Sequence, residues 1–265
     1  MQLYDILFKP FRLNRNKSVF PSDAFPSLAF AEASHWWFKA RNQIILWALR
    51  TRVYGIKNFL EVGCGTGYVI HGIAQEYPLL ALEASEYFQE GLAFARKRVP
   101  KCCFRQLDAT CMTDNNRYDC IGAFDVLEHI DDDISVLSNF YRALHSSGYL
   151  LLTVPQHPWL WSSADVYACH ARRYTYSGLR RKLLSAGFKV CFHTSFVGLL
   201  LPLMIWQRLL LRKKSYELDD EFNISPLINA CLWFCMQVEF ILLKHGVRFP
   251  AGGSLLVVAK KNDSI

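Results

Sequence analysis

A chain of 265 residues can bury a sizeable core without disulfide staples, as one domain with insertions or two small ones, and is neither a mini-protein nor a tandem-repeat array. With 52% hydrophobic, 14% aromatic and 20% charged residues it is too apolar to be a disordered chain. Its formal charge of +7 is concentrated, because residues 1–57 carry nine Lys and Arg against three Asp and Glu and the remainder is nearly neutral. A nucleic-acid binder spreads its basic residues along one large face, so no nucleic-acid partner is expected; the asymmetry suits an N-terminal segment near an anionic membrane surface or a phosphorylated substrate. The nine cysteines contain no C-x-x-C pair and sit mostly in apolar runs. They read as reduced, buried thiols, and no metal is expected. No apolar stretch of signal-peptide length precedes the basic residues of the N-terminus, which points to a cytoplasmic protein, with the inner face of the membrane as its alternative address.

Residues 1–57 precede the first strand and carry the cluster His35-Trp36-Trp37-Phe38, an aromatic, helical extension that reads as a lid. Asn58 to Val62 is the first strand-like run; a glycine loop follows, then a helix with Val69, Ile70, Ile73, Ala74 and Tyr77 on one face. The second strand is predicted over 79–83, a helix over 86–99, the third strand over 102–107 and the fourth over 118–126. Asp131, Asp132 and Asp133 crowd the start of the next helix, whose inner stripe is read as Ile134, Leu137, Tyr141 and Leu144, with Gly148 as its stop. A fifth strand spans 148–155. Thr175 can cap a helix carrying Leu179, Leu183 and Leu184, and the sixth strand covers 188–196. Residues 197–250 interrupt the alternation, and 251–265 return with a last strand, over 254–261, expected antiparallel beside the sixth. The pattern is a doubly wound α/β fold: a seven-stranded, mostly parallel sheet over 58–196 and 251–265, with an N-terminal extension and a helical insertion.

The insertion holds two apolar stretches, at 196–214 and 225–249, interrupted by Pro202, Gln207, Asn229, Gln237 and Glu239. Neither offers the uninterrupted length of a membrane span. The first ends in Arg208, Arg212, Lys213 and Lys214, which suits a helix lying in an anionic interface, a peripheral membrane contact. A lid over the sheet or a homodimer contact is the plain alternative.

Glu61-Val62-Gly63-Cys64-Gly65-Thr66-Gly67 follows a strand and directly precedes a helix, the setting in which a glycine turn lets a nucleotide approach bare backbone at a helix N-terminus. A dinucleotide fingerprint needs G-x-G-x-x-G; here the third glycine falls one residue early and Tyr68 takes its place, which argues against NAD. Glu83, at the predicted end of the second strand, can take both hydroxyls of a ribose, and Asp108, after the third, can accept from the amine of adenine.

With these residues the chain resembles the class I S-adenosylmethionine-dependent methyltransferases, in the broad small-molecule group that includes the quinone methyltransferases. The resemblance covers residues 58–195 and rests on E-x-G-x-G-x-G at 61–67, the acidic strand ends Glu83 and Asp108, and Phe124-Asp125-Val126-Leu127-Glu128-His129-Ile130. It implies a Rossmann-like methyltransferase fold with S-adenosylmethionine as cofactor. Glu61, Gly63, Cys64, Gly65, Thr66 and Gly67 would lie against the methionine and ribose, Glu83 and Ala84 at the ribose, Asp108 and Ala109 beside adenine, and Asp125 and Trp37 at the same pocket. The segments HWWFKAR, V-P-x-H-P-W-L-W and H-x-R-R-Y-T are similar to those of methyltransferases associated with surface-glycan assembly.

Methyl transfer from a sulfonium is a direct displacement, in which alignment alone can supply about 7–11 kcal/mol. A hydroxyl or carbon acceptor also needs a base, and His129, flanked by Glu128, and His157 both fall at the carboxyl edge of the sheet. His170, Arg172, Arg173 and Tyr174 could bind a phosphate or form a solvated face. Trp159 and Trp161, with Trp36 and Trp37, could form an aromatic wall that excludes water or stacks a substrate ring, or serve as lid core; Arg41 is a candidate partner for the cofactor carboxylate. The acceptor reads as a small molecule or a lipid-linked one, such as a glycan or quinone. Two other readings compete: a nicotinamide-dependent dehydrogenase, which lacks its fingerprint, and a noncatalytic membrane-associated module that keeps the pocket.

Overall fold

The computed structural model describes residues 20–210 and 224–262. Seven strands form one sheet in the order β3-β2-β1-β4-β5-β7-β6: β1 (Asn58–Val62), β2 (Ala81–Glu86), β3 (Cys103–Gln106), β4 (Tyr118–Phe124), β5 (Leu144–Pro155), β6 (Phe188–Phe196) and β7 (Ser254–Lys261). The first five run parallel, and β7 is inserted antiparallel between β5 and β6. The order reverses between β1 and β4, so the carboxyl ends of these strands border the crevice in which open α/β sheets bind ligands.

Helices cover both faces. On one lie α2 (Trp36–Arg52), α3 (Tyr68–Glu76), α4 (Gln89–Arg98) and α9 (Pro226–Lys244), whose Ile44, Ile45, Ile70, Ile73, Leu92 and Met236 are buried with Phe59 and Phe192 of the sheet. On the other lie α5 (Asp133–Ala143) and α7 (Tyr176–Ser185), through Val136, Leu137, Phe140, Leu179 and Leu183. Thr175 caps α7 by accepting from Gly178 N at 3.1 Å, and Asp132 caps α5 by accepting from Ser135 N at 3.1 Å. The short α1 (Phe25–Ala31) lies at the mouth of the sheet; α6 (Ser163–Tyr167) and α8 (Leu201–Leu210) complete the helices named here.

Three local expectations shift. The second strand runs three residues beyond 83, because Leu79 is left almost fully exposed in the preceding turn and pairing starts at Ala81. The inner stripe of α5 is Val136, Leu137, Phe140 and Ala143, while Ile134 is half exposed. Gly148 does not end that helix; α5 stops at Ala143 and β5 begins at Leu144. Residues 1–19 and the basic run Arg212, Lys213 and Lys214 lie outside the described residues, as does the side chain of Arg208.

Candidate active site

At the tip of β1 the chain turns on three glycines with left-handed φ values, 71° at Gly63, 54° at Gly65 and 81° at Gly67. A Cβ on Gly63 would lie 2.4 Å from Val126 Cγ2, and one on Gly67 2.9 Å from the Cα of Ala95, so these two let the loop close on the β4 tip and on α4. A Cβ on Gly65 would meet only Phe25 Cε1, at 4.0 Å. Among the described residues Gly65 is thus the least crowded of the three, and there a ligand can reach bare backbone. The loop is held in place from β2: Gly63 N and Cys64 N both donate to Ser85 O, at 2.8 and 2.9 Å.

The acid at the end of β2 is Glu86, which corrects the expectation for Glu83. Gly65 N donates to Glu86 Oε2 at 2.8 Å, while Tyr87 N and Phe88 N donate to Oε1 at 2.8 and 3.1 Å. Burial pushes this carboxyl's pKa up and the three N–H groups oppose the rise. Each carboxylate oxygen has two acceptor sites, so Oε2 keeps one. Glu83 is paired with Leu60, two positions short of the strand tip, and its oxygens are taken by Arg105 Nε at 2.8 Å and Arg117 Nη2 at 2.6 Å. Ala84 is likewise corrected: it is wholly buried strand core.

Glu61, in β1, is buried with Oε2 unpartnered among the described residues; burial holds its pKa well above the carboxylate range, and Arg41 opposes this. Arg41 reaches in from α2, stacks on Trp37 with 4.6 Å to the ring centroid, and donates to Asp125 Oδ2 at 2.5 Å. Its Nε is buried and unpartnered. Thr66 donates to Glu32 beyond α1, and Arg98 Nη1 donates to Glu32 at 2.7 Å and to Thr66 at 2.8 Å, which fastens the extension to the glycine loop. The Cys64 thiol is pushed well up by burial and by Glu61 and Glu86, so it is no nucleophile. Asp108 caps the turn after β3, accepting from Thr110 N at 2.8 Å and from its hydroxyl at 2.6 Å, above the buried Ala109.

Beyond β4 and β5 the predicted acceptor residues separate. The His129 ring abuts Phe20 and His170, at 5.8 and 4.7 Å between centroids; burial and His170 hold its pKa down to about 3. A ring held in its neutral form is a weak base. Glu128 is fully buried with neither oxygen partnered, and burial raises its pKa well above the usual range. His157 stacks on Trp159 at 5.1 Å and 28°, with Nε2 buried and unpartnered among the described residues. Trp159 is 42% exposed and Trp161 partly so.

The phosphate reading of the H-x-R-R-Y-T segment is corrected, because the chain's own acceptors occupy its donors. Arg172 donates to Ile130 O and Asp131 O at 2.7 and 2.9 Å, Arg173 to Asp165 Oδ1 at 2.7 Å, and Tyr174 to Asp133 Oδ2 at 2.6 Å. His170 Nδ1 also contacts Asp165 Oδ1, at 2.9 Å. Glu86, Glu32 and Asp165 were not singled out in the sequence; the capping spacing of Ser162 and Asp165 was the one visible signal.

Comparison with known proteins gives a family. The methyltransferase domain model matches residues 29–191, more than half of the chain. A Mycobacterium tuberculosis protein named "probable S-adenosylmethionine-dependent methyltransferase" is 26% identical over 163 residues, 59% of this chain and 57% of that protein. A relative from Mycolicibacterium smegmatis is 27% identical over 162 residues, 59% of this chain and 60% of the relative. The chain's match thus spans less than two thirds of either curated relative. Among solved structures, the cyclase SpnF superposes with a TM-score of 0.61 at 19% identity, covering 91% of this chain and 93% of that one. Phosphoethanolamine N-methyltransferase 2 of Haemonchus contortus, in complex with S-adenosylmethionine, gives 0.60 at 17% identity over 96% and 62%. At such identities the structural likeness establishes the fold alone. Taken with the family match, the strand order and the glycine turn at the tip of β1, it follows that the chain belongs to the class I S-adenosylmethionine-dependent methyltransferases.

Proposed function

We propose that this chain transfers a methyl group from S-adenosylmethionine to a small or lipid-linked acceptor by direct displacement. Gly65, whose added Cβ would make only an ordinary contact among the described residues, carries this reading together with Glu86, which has an acceptor site to spare. The donor set fits the cofactor: bare backbone, a carboxylate for ribose hydroxyls, and unpartnered buried atoms on Glu61 and Arg41 for the polar methionine end. Asp108 and the Ala109 turn stand where adenine would be met. When bound, the cofactor supplies an electrophilic methyl on a cationic sulfur; everything else is orientation, exclusion of water and removal of a proton. Trp37 stacked on Arg41, together with the Thr66–Glu32–Arg98 cluster, closes the loop side. On the acceptor side His157 offers an unpartnered Nε2 beside Trp159 and takes the acceptor's proton.

An amphiphilic acceptor at the inner face of the membrane is supported by exposed apolar side chains on α8 and α9, with Trp206 at 61% and Leu227 at 75% exposure. Calorimetry tests the central claim. S-adenosylhomocysteine should bind with unit stoichiometry and NAD should not; Glu86→Gln should weaken the product at least tenfold, and Glu83→Gln should leave it unchanged. NAD binding alone, or equal losses in the two variants, rejects the pocket as drawn.

A further inference from the structure

We propose that Glu128, His129 and His170 form a site for one divalent transition-metal ion. One carboxylate oxygen and one nitrogen from each ring lie within 4.8 Å of one another. Around a tetrahedral ion bound at about 2.0–2.1 Å such atoms are roughly 3.3 Å apart, so a contraction of up to about 1.5 Å completes the site.

The case rests on what each group lacks. Glu128 has no exposed surface and neither of its oxygens has a partner among the described residues. A carboxylate in that position must be neutralised or paired. The facing guanidinium groups are already committed, Arg41 to Asp125 at 2.5 Å and Arg173 to Asp165 at 2.7 Å, and Asp125 adds a further negative charge. Each histidine, in turn, offers one ring nitrogen to the cluster. His129 Nδ1 is buried and has no partner among the described residues. His170 Nδ1 is on Asp165 Oδ1 at 2.9 Å, which directs Nε2 to the cluster. A carbonyl or carboxylate behind the ring is how proteins orient metal-binding imidazoles.

The backbone brings the parts together. Ala171 N donates to Glu128 O at 2.6 Å and His170 N to Asp165 O at 2.9 Å, so the 165–173 segment is docked on the turn after β4. No sequence spacing announces the site, since 128–129 and 170 belong to separate segments. Two imidazoles and one carboxylate suit zinc, iron or nickel, whereas magnesium and calcium prefer all-oxygen sets. Three protein ligands leave a coordination position open.

The proposal does not depend on methyl transfer, and its test uses no cofactor. Chelator-stripped protein titrated with zinc(II) should bind one equivalent, without competition from magnesium. Cobalt(II) in its place should give visible ligand-field absorption with no thiolate charge-transfer band, which separates the site from the cysteines. Glu128→Gln and His129→Ala should each weaken zinc binding at least tenfold, in variants shown folded by circular dichroism and cooperative urea unfolding. If a variant fails that check, the cobalt spectrum of the unaltered protein decides. Absence of stoichiometric binding, a thiolate band, or full affinity in both folded variants overturns the proposal and leaves Glu128 a buried, protonated acid.

Discussion

His157 joins three constraints in one residue: a left-handed φ of 63°, a backbone N–H given to Tyr174 O at 2.8 Å, and a buried ring nitrogen with no partner. Few side chains adopt that conformation without strain, so the fold holds the ring beside Trp159 at a cost. Burial and the charge of Arg173 hold its pKa below the ordinary histidine value. A base is active when neutral; lowering its pKa therefore extends activity toward acid. The acid limb of kcat/KM should fall below pH 6.5, with activity lost as pH drops through the depressed pKa. His157→Ala should cut kcat by about 10²–10⁴-fold and abolish that limb; an unchanged limb rules the residue out. The position of His157 was readable, because a buried strand ending at Pro155 fixes the edge that follows. Glu86 was not. Glu83 and Glu86 are an odd number of residues apart and so face opposite sides of the strand. The alternation in 81–86 does not mark where the strand ends; only its register with β1 and the loop N–H groups on Ser85 O do.

Among elements, α9 is an apolar helix that polar side chains tie to the rest of the chain. It is long and apolar enough by length and composition to cross a membrane. Glu239, with no exposed surface, instead accepts from Gly198 N and Leu199 N at 2.8 and 2.9 Å through Oε2, closing the free N–H groups ahead of α8. Gln237 and Gln43 exchange hydrogen bonds at 2.8 and 3.3 Å, tying α9 to α2. Glu239→Ala would remove the acceptor of two part-buried N–H groups, and urea denaturation should show a loss on the order of 1 to 3 kcal/mol. A loss within 0.5 kcal/mol of zero, the level of an ordinary surface substitution, would mean the helix is not anchored there. The strands were largely legible because most of their apolar runs are bounded by glycine, proline or acidic residues. The phase of α5 was not, because Asp133 is buried against Tyr174 OH at 2.6 Å and Lys182 Nζ at 2.5 Å. That buried pair turns the helix so that Ile134 faces water, a choice no hydrophobic pattern contains.

At the scale of the whole molecule, the additions to the sheet converge on one side. Trp36 N donates to Asn229 Oδ1 at 2.8 Å and Asn229 Nδ2 to Ser34 O at 3.0 Å, so the N-terminal extension and the insertion, far apart in sequence, form a single cover. Its inner surface packs on the sheet through Trp47 and Phe240. Outside it leaves Leu203, Trp206, Leu227, Ile228, Phe234 and Ile241 exposed, more large apolar side chains than water alone favours. The sequence adds a basic excess in residues 1–57 and a basic run at 212–214 between α8 and α9. An exposed apolar surface in a chain with such a basic excess suits an anionic bilayer surface, with attraction that weakens as salt screens it. The protein should float with vesicles containing phosphatidylglycerol, less with neutral vesicles, and less again at high salt. Leu227→Glu with Phe234→Glu should lower vesicle binding at least tenfold while leaving S-adenosylhomocysteine affinity unchanged, since both side chains point to solvent from α9. If instead the unaltered protein ignores vesicles and scatters light as a dimer that the double variant splits, the apolar cover is a contact between two copies and the membrane reading falls.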